Sequence, residues 1–319
     1  LRTRRQRQMC IRDSSNCFNL ISKKIDAFFI KIKEIYIHAL SMFIYSPEII
    51  LSNIKTILQL FKRQFEYYYF MEILYAFLLG LILGSFLNSL SYRIPIILNY
   101  QNALKDFPDL GLSFPRSFCP NCKAPLSAFS LIPVLSYFIQ LGKCKSCKKN
   151  ISISYPFFEI LMGILFALML IKAGSINYIF FINCLFIFAL ILIARLDESF
   201  FKIPFSLNLI VFFTGILINY YFSSFSLGFT SFLICLAVLS AIKFLADYIL
   251  KKDSFGWGDI ILISNLSLFF SIYNLPFILF VSSLSGIIWY FFKKRNVLEK
   301  TIAFGPHIAL SGIWLLFIL

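Results

Sequence analysis

Four cysteines of this sequence have the spacing of a metal site. Cys119 and Cys122 form one C-x2-C pair, and Cys144 and Cys147 form a second pair after 21 intervening residues. Two such pairs supply the tetrahedral all-sulfur shell that Zn2+ prefers, with no open position, so the zinc would be structural. The alternatives are two disulfides or four thiols without a ligand, and a reducing compartment disfavours disulfides.

Two aspartates beside apolar segments form a second constellation, since a carboxylate there costs free energy and usually has a function. Asp197 stands seven residues before a proline, and Asp259 follows Gly256 and Gly258 in Phe-Gly-Trp-Gly-Asp. Two carboxylates in one site cannot both ionise easily, which leaves one acid and one base around a water. This chemistry is that of aspartyl proteolysis. Taken alone, each Asp is more typical of a solvated helix end, and a proton or ion relay in a transporter is a third interpretation.

The composition decides where these groups operate. Of 319 residues, 59% are hydrophobic and 14% are charged, with a mean hydropathy of +0.82, against about 25% charged residues in soluble domains. The apolar runs lack barrel-like alternation and are about 17–25 residues long, as a membrane-crossing helix requires. We therefore predict an all-α polytopic membrane protein of about eight transmembrane helices. The predicted spans are 71–92, 155–171, 178–196, 205–222, 226–250, 260–272, 276–292 and 302–319.

The positive charges orient these spans. After residue 70, Lys and Arg fall in alternating loops with the single exception of Lys172, as expected of the cytoplasmic side. The cysteine loop is therefore predicted to face the cytoplasm, with Asp197 and Asp259 at the cytoplasmic ends of spans, where they can converge. The net charge of +15 has the same origin, and no basic soluble domain suggests a nucleic-acid partner.

Residues 1–70 differ from the rest. They hold 12 of the 30 Lys and Arg residues, and residues 4–15 resemble a translated cloning scar. We expect an atypical basic extension that is partly artefactual and assign it no function.

Residues 71–319 resemble the bacterial prepilin peptidases, or type 4 leader peptidases, which are GxGD-type intramembrane aspartyl proteases. Several separate motifs over about 250 residues carry the resemblance. They are 84–95, 115–122, 132–137, 142–147, 155–159, Asp197 with 203–204, 256–259 and 304–306.

The resemblance implies cleavage of the basic leader from type IV prepilin-like or pseudopilin precursors, after a glycine, at the cytoplasmic face of the bacterial inner membrane. Asp197 and Asp259 would be catalytic. Bifunctional members also methylate the new N-terminus with S-adenosylmethionine, an activity linked to the cysteine loop, and we expect it here because all four cysteines are present. The implied organisation is an extension (1–70), the first span with the zinc-binding, methyltransferase-linked domain (71–154), and the membrane peptidase domain (155–319).

Five residues are candidates for methyl transfer. Arg93, Arg116 and Lys143 could hold a carboxylate, although each is equally typical of a cytoplasmic-loop charge. Gly142 belongs to the same motif as Lys143. Glu159 lies at a span mouth, where it could bind an amine or only cap a helix.

Two positions depart from the family pattern. Ile261 stands where the family usually has Lys, and Phe205 where it often has Asp. Neither is a catalytic carboxylate. The alternatives are a peptidase without methyl transfer, an inactive copy, or a transporter or scaffold with a structural zinc knob.

Overall fold

The computed structural model describes residues 31–35, 47–100, 110–251, 255–293 and 302–319. The chain forms two units, residues 1–68 and 69–319, and each is considered by itself. Most of the predicted N-terminal extension lies outside the described residues. In the described part of the first unit, residues 31–35 and those from 47 onward are helical. The residues below belong to the second unit, except for the beginning of the first long helix, which lies in the first unit.

Helices account for the regular structure of the described residues, apart from two isolated bridge pairs in the cysteine loop. Two short 3-10 turns, Ala128–Leu131 and Ile272–Asn274, connect them. The helices are α1 Pro47–Ile97, α2 Leu135–Ile139, α3 Ser154–Ala173, α4 Tyr178–Phe200, α5 Phe205–Tyr221, α6 Phe225–Leu250, α7 Trp257–Phe270, α8 Leu275–Lys293 and α9 Gly305–Ile318.

Eight apolar helices occupy the eight predicted segments, which confirms an all-α polytopic membrane protein. Among the described residues, five apolar segments are long enough to cross a membrane, namely residues 62–97 of α1, α3, α4, α6 and the segment Ile272–Phe292, which includes most of α8. Helices α5, α7 and α9 have 17, 14 and 14 residues, fewer than the roughly 20 that a full crossing needs. The count of eight spans stays a prediction.

Local backbone and capping interactions set both ends of α4. Its N-cap is Asn177, whose side-chain oxygen accepts the Phe180 backbone N–H at 2.9 Å, as N-cap residues commonly do. The helix ends at Phe201, which is left-handed with φ 55° and donates its N–H to the Asp197 carbonyl at 2.8 Å. Pro204 then begins the next helix as its N-cap. Asp197 consequently lies in the last turn of α4.

Helix α9 contacts both α4 and α7, the two helices that carry the aspartates. Phe186 of α4 also stacks directly on Phe269 of α7, with 4.1 Å between ring centroids. Phe186, Leu190 and Ile193 of α4 are fully buried, so α4 lies in the centre of the packed helices. This packing holds residues from distant parts of the chain in one place.

Candidate active site and metal centre

Asp197 is held by the beginning of another helix. Its side chain is 6% exposed, and its Oδ2 accepts the Gly305 backbone N–H at 2.8 Å. Gly305 is the first residue of α9, where backbone N–H groups have no partner within the helix and the dipole favours an anion. A Cβ at position 305 would lie 2.7 Å from Asp197 Oδ2, so only glycine permits this approach.

Asp259 lies in the first turn of α7, whose N-cap is Gly256. The helix begins three residues before the predicted span, so the carboxylate extends from the start of a helix. A Cβ on Gly256 would be 3.0 Å from Asp259 Oδ2. Asp259 Oδ1 is buried without a hydrogen-bond partner among the described residues, and Asp259 interacts electrostatically with Asp197. An unpaired acceptor beside a second carboxylate suits a bound water or a peptide group.

Two buried asparagines hydrogen-bond near the backbone that precedes Asp259, and the sequence analysis did not predict them. Asn208 donates its Nδ2 to the Gly258 carbonyl at 3.4 Å, and Asn265 donates to the Asn208 carbonyl at 2.9 Å. Both are at most 2% exposed. Polar residues inside apolar segments are the signal that could have found them, because they are costly in a membrane unless they are paired.

A buried lysine holds the other side of the glycine segment. Lys243 of α6 donates its Nζ to the Phe255 carbonyl at 2.7 Å and pairs with Asp247 at 2.9 Å. Its Nζ also lies 5.7 Å from the centroid of the Trp257 ring. The sequence predicted Lys243 only as a charge near the cytoplasmic surface. In the structure it helps to fix the backbone that precedes Asp259.

The four cysteines form one cluster, as their spacing predicted. The four Sγ atoms all lie within 4.8 Å of one another, and those of Cys119 and Cys147 are 3.9 Å apart. Four sulfurs at about 2.3 Å from a tetrahedral Zn2+ would be separated by about 3.8 Å. The residues therefore fit a metal ion of the zinc type.

The two cysteine pairs share one backbone conformation. The N–H of Cys119 donates to Ala124 at 3.0 Å, and the N–H of Cys144 donates to Lys149 at 2.9 Å. In each pair the residue after the second cysteine has a positive φ, 57° at Lys123 and 59° at Lys148. The repeated turn directs both sulfurs of a pair to the same point.

Hydrogen bonds stabilise a thiolate in the second pair. The Lys149 backbone N–H lowers the pKa of the Cys147 thiol to about 6. The Asn121 side chain acts in the same direction, with its Nδ2 at 3.6 Å from the sulfur. A deprotonated sulfur is the form that binds a metal ion.

A cavity of about 400 Å3 lies between the cysteine loop and the adjoining ends of α1 and α3. Arg93 and Glu159, two of the five candidates for methyl transfer, line it. Arg116 and Lys143 are exposed and lie outside the lining. Gly142 has a φ of +65°, and its Cβ position faces the hydroxyl of Tyr137, a lining residue, at 3.0 Å.

Arg93 connects the first span to the cysteine loop. The side chain is 4% exposed, and it donates from Nη1 to the Gly111 carbonyl at 2.9 Å and from Nη2 to the Pro115 carbonyl at 2.7 Å. The guanidinium also lies 5.9 Å from the Phe118 ring centroid. In this structure Arg93 organises the wall of the cavity.

Membrane-length helices, two aspartates that interact electrostatically and a four-cysteine cluster define a polytopic membrane protein with a buried acidic pair and a candidate metal site. Residues 78–173, which include the cysteines, match the Bacterial Peptidase A24 N-terminal domain. Residues 184–291, which include both aspartates, match the type IV leader peptidase family. The chain belongs to the type IV leader peptidase family.

Curated relatives cover most of the chain. A prepilin leader peptidase/N-methyltransferase of Neisseria gonorrhoeae is 32% identical over 259 residues, 76% of this chain and 88% of the relative. The protein of that name from Legionella pneumophila is 31% identical over 75% of this chain and 89% of the relative. A type 4 prepilin-like proteins leader peptide-processing enzyme of Escherichia coli is 29% identical over 73% and 89%. No solved structure matches this chain.

Proposed function

We propose that this protein cleaves the leader peptide from type IV prepilin-like or pseudopilin precursors at the cytoplasmic face of the bacterial inner membrane. The carrying observation is the aspartate pair, in which Asp197 and Asp259 come from different helices and interact electrostatically. The unpaired Oδ1 of Asp259 provides an acceptor for a reacting group. The family membership and the names of the relatives support the same reaction.

The two carboxylates act on one water. One takes a proton from the water as it attacks the scissile carbonyl, and the other protonates the leaving amine. The Gly305 N–H fixes the Asp197 carboxylate, while Asn208 and Lys243 hold the backbone around Asp259. The cysteine loop and the aspartates lie on the cytoplasmic side in this proposal, because the positive leader would remain there.

The second proposed activity is N-methylation of the new N-terminus. Cys119, Cys122, Cys144 and Cys147 would hold a structural Zn2+, and the adjoining cavity falls within the usual range of about 300–1,000 Å3 for small-molecule sites. S-adenosylmethionine would supply the methyl group there. Its adenine suits the aromatic lining, which includes Phe118 and Tyr137, and its carboxylate suits Lys149, Arg93 or the nearby Arg116 and Lys143. No nucleic-acid partner is expected.

The first experiment is cleavage of a prepilin-like peptide by wild type, Asp197→Asn and Asp259→Asn in detergent. Each substitution keeps the side-chain shape and removes the acid–base function. Glu198→Gln is the matched control, because Glu198 is an exposed carboxylate next to Asp197 in the sequence. We expect wild type and the control to cut after the leader glycine and both Asn variants to be inactive.

Equal cleavage by the Asn variants would refute the proposed chemistry. Absence of cleavage in wild type would favour a transporter or scaffold, in which the acidic pair moves protons. Labelled S-adenosylmethionine, supplied with an already cleaved peptide, tests methyl transfer separately. A peptidase that transfers no label would be monofunctional.

A further inference from the structure

A buried amide and a buried carboxylate line the cavity where it meets α1 and α3. Asn88 of α1 and Glu159 of α3 both line the cavity. They are 2% and 7% exposed, respectively, and the Glu159 carboxylate accepts hydrogen bonds from the Asn88 and Ser85 side chains. A Cβ on Gly84, one turn before Asn88, would lie 2.7 Å from the Glu159 Cα. The backbones of α1 and α3 are therefore in close contact at Gly84, and a larger residue there would push Glu159 away from α1.

The amide oxygen of Asn88 has no partner among the described residues. Its Nδ2 donates to the Tyr155 carbonyl at 3.0 Å, and a carbonyl can only accept, which fixes the orientation of the amide. The Oδ1 is buried and unpaired. A buried acceptor without a donor costs free energy, so this oxygen is suited to a donor that arrives with a ligand.

A strained turn orients the carboxylate of Glu159. Its Oε2 accepts the Val134 backbone N–H at 2.6 Å. Val134 has φ 61° and ψ −54°, and the Leu135 N–H donates to the Pro133 carbonyl across it. This is a γ-turn, a rare conformation and an unfavourable one for a β-branched residue. Capping the short helix α2 would explain the hydrogen bond from Val134, but it leaves the unpaired oxygen of Asn88 without a role.

The Glu159 carboxylate and the Asn88 amide oxygen together favour a ligand group that is positively charged and donates hydrogen bonds. Among the described residues that line the cavity, Glu159 is the only carboxylate, and Arg93 and Lys149 are the cations. A carboxylate and an unpaired amide oxygen together match an ammonium group, which has three donors and no acceptor. We propose that Asn88 and Glu159 bind the α-ammonium group of the cleaved substrate, an inference that rests on the proposed leader cleavage and methyl transfer.

Hydrogen bonds connect this position to the helix of the first aspartate. Arg195, two residues before Asp197, donates its Nε to Ser91 Oγ at 3.0 Å. The Ser91 hydroxyl in turn donates to the backbone carbonyl of Asn88 at 2.8 Å. The backbone that carries Asn88 is therefore linked through Ser91 to the helix that carries Asp197. This connection favours the peptide amine over the other primary ammonium available, that of S-adenosylmethionine itself.

Glu159 also has a place in the transfer. An ammonium nitrogen has no lone pair, so it must lose a proton before it can accept a methyl group. The Glu159 carboxylate takes that proton. The nitrogen–methyl bond then forms as the methyl–sulfur bond breaks, and the electron pair stays on sulfur. The proton finally leaves Glu159 for water.

The test is peptide binding without a methyl donor. The probes are a mature pilin-like peptide with a free N-terminus and the same peptide with an acetylated N-terminus, titrated into the full chain in detergent. For wild type we expect the free amine to bind about tenfold more tightly or better, the size of a charge-assisted hydrogen bond. In Glu159→Gln the preference should fall to about twofold or less. Glu72→Gln, a carboxylate of α1 outside the cavity, should keep it.

Equal binding of the two peptides by wild type would overturn the proposal without any variant. Retention of the full preference by a Glu159→Gln protein with unchanged melting temperature would also overturn it. Weaker binding of S-adenosylhomocysteine by that variant, with unchanged peptide preference, would assign the site to the methyl donor and refute the peptide assignment. If wild type prefers the free amine but transfers no methyl group, the binding site stands and only the methyl-transfer proposal fails.

Discussion

The cysteine loop and the aspartate pair build their sites by different means. Cys119 and Cys147, the outermost ligands, are 28 residues apart, and each C-x2-C pair is shaped by its own turn. Asp197 and Asp259 lie on α4 and α7, which touch through Phe186 and Phe269 and both contact α9. The comparison shows that a metal site can be specified by local backbone geometry, whereas this carboxylate pair depends on how several helices pack.

The two regions also differ in what stabilises them. Large apolar side chains of the cysteine loop are exposed, with Phe129 at 78% and Leu141 at 84%. In α4, by contrast, Phe186, Leu190 and Ile193 are fully buried. We therefore expect the loop to depend on the proposed metal site and on the Arg93 contacts, and its loss should leave the helices folded. The following predictions test this separation.

The largest effect is expected at the aspartates. Asp197→Asn or Asp259→Asn should reduce leader cleavage by about 10^3-fold or more, because each removes one half of the acid–base pair. Methylation of an already cleaved peptide should stay near the wild-type rate. Both activities are measured on the same preparation, and a parallel loss of methylation would show that the two regions are not separate.

Loss of the metal site should produce the opposite pattern. Replacing Cys144 and Cys147 together with Ser should abolish zinc binding and reduce methyl transfer by about 10^2-fold, because structural zinc contributes folding free energy directly. Cleavage should change by no more than a few-fold. Elemental analysis and the two assays check this, with Cys235→Ala as a control outside the cluster. A zinc-free wild type would contradict the prediction.

A smaller effect is expected from Gly305→Ala. The new Cβ would lie 2.7 Å from Asp197 Oδ2, so the carboxylate or the start of α9 must move. Displacements on the order of 1 Å near a reacting group cost about 10^2-fold in rate, and we expect cleavage to fall about 10- to 100-fold. Gly286→Ala is the matched control, since its nearest contact would be His307 at an ordinary 3.5 Å. Equal rates for the two variants would refute the close approach.

The smallest effect is expected from Arg93→Gln. The change leaves the Gly111 and Pro115 carbonyls without their donors, at a cost of about 1–3 kcal/mol for each group that remains buried. The cavity wall should loosen and methyl transfer should fall about tenfold, with little change in cleavage. Lys145→Gln, at an exposed loop position, is the control. If methyl transfer survives in Arg93→Gln, the guanidinium does not organise the cavity.

Sequence reasoning located the helices better than it located their contacts. The composition and the lengths of the apolar runs placed eight helices to within a few residues at most ends. The sequence analysis did not predict the contacts of Asn208, Asn265 and Lys243, which hold the backbone around Asp259. In lipid, every face of a helix can be apolar, so the sequence period does not show which face packs against a neighbour.

The sequence alone determined the membrane class, and it identified the four cysteines that cluster and the two candidate carboxylates. Hydropathy, the C-x2-C spacing and the rarity of acids near apolar spans are local properties that a linear pattern retains. Only the tertiary structure decided that α9 supplies the Gly305 N–H to Asp197 and that Asn88 meets Glu159. Both arrangements depend on pairing buried polar groups across helices, and the partners are chosen by the packing of the folded chain.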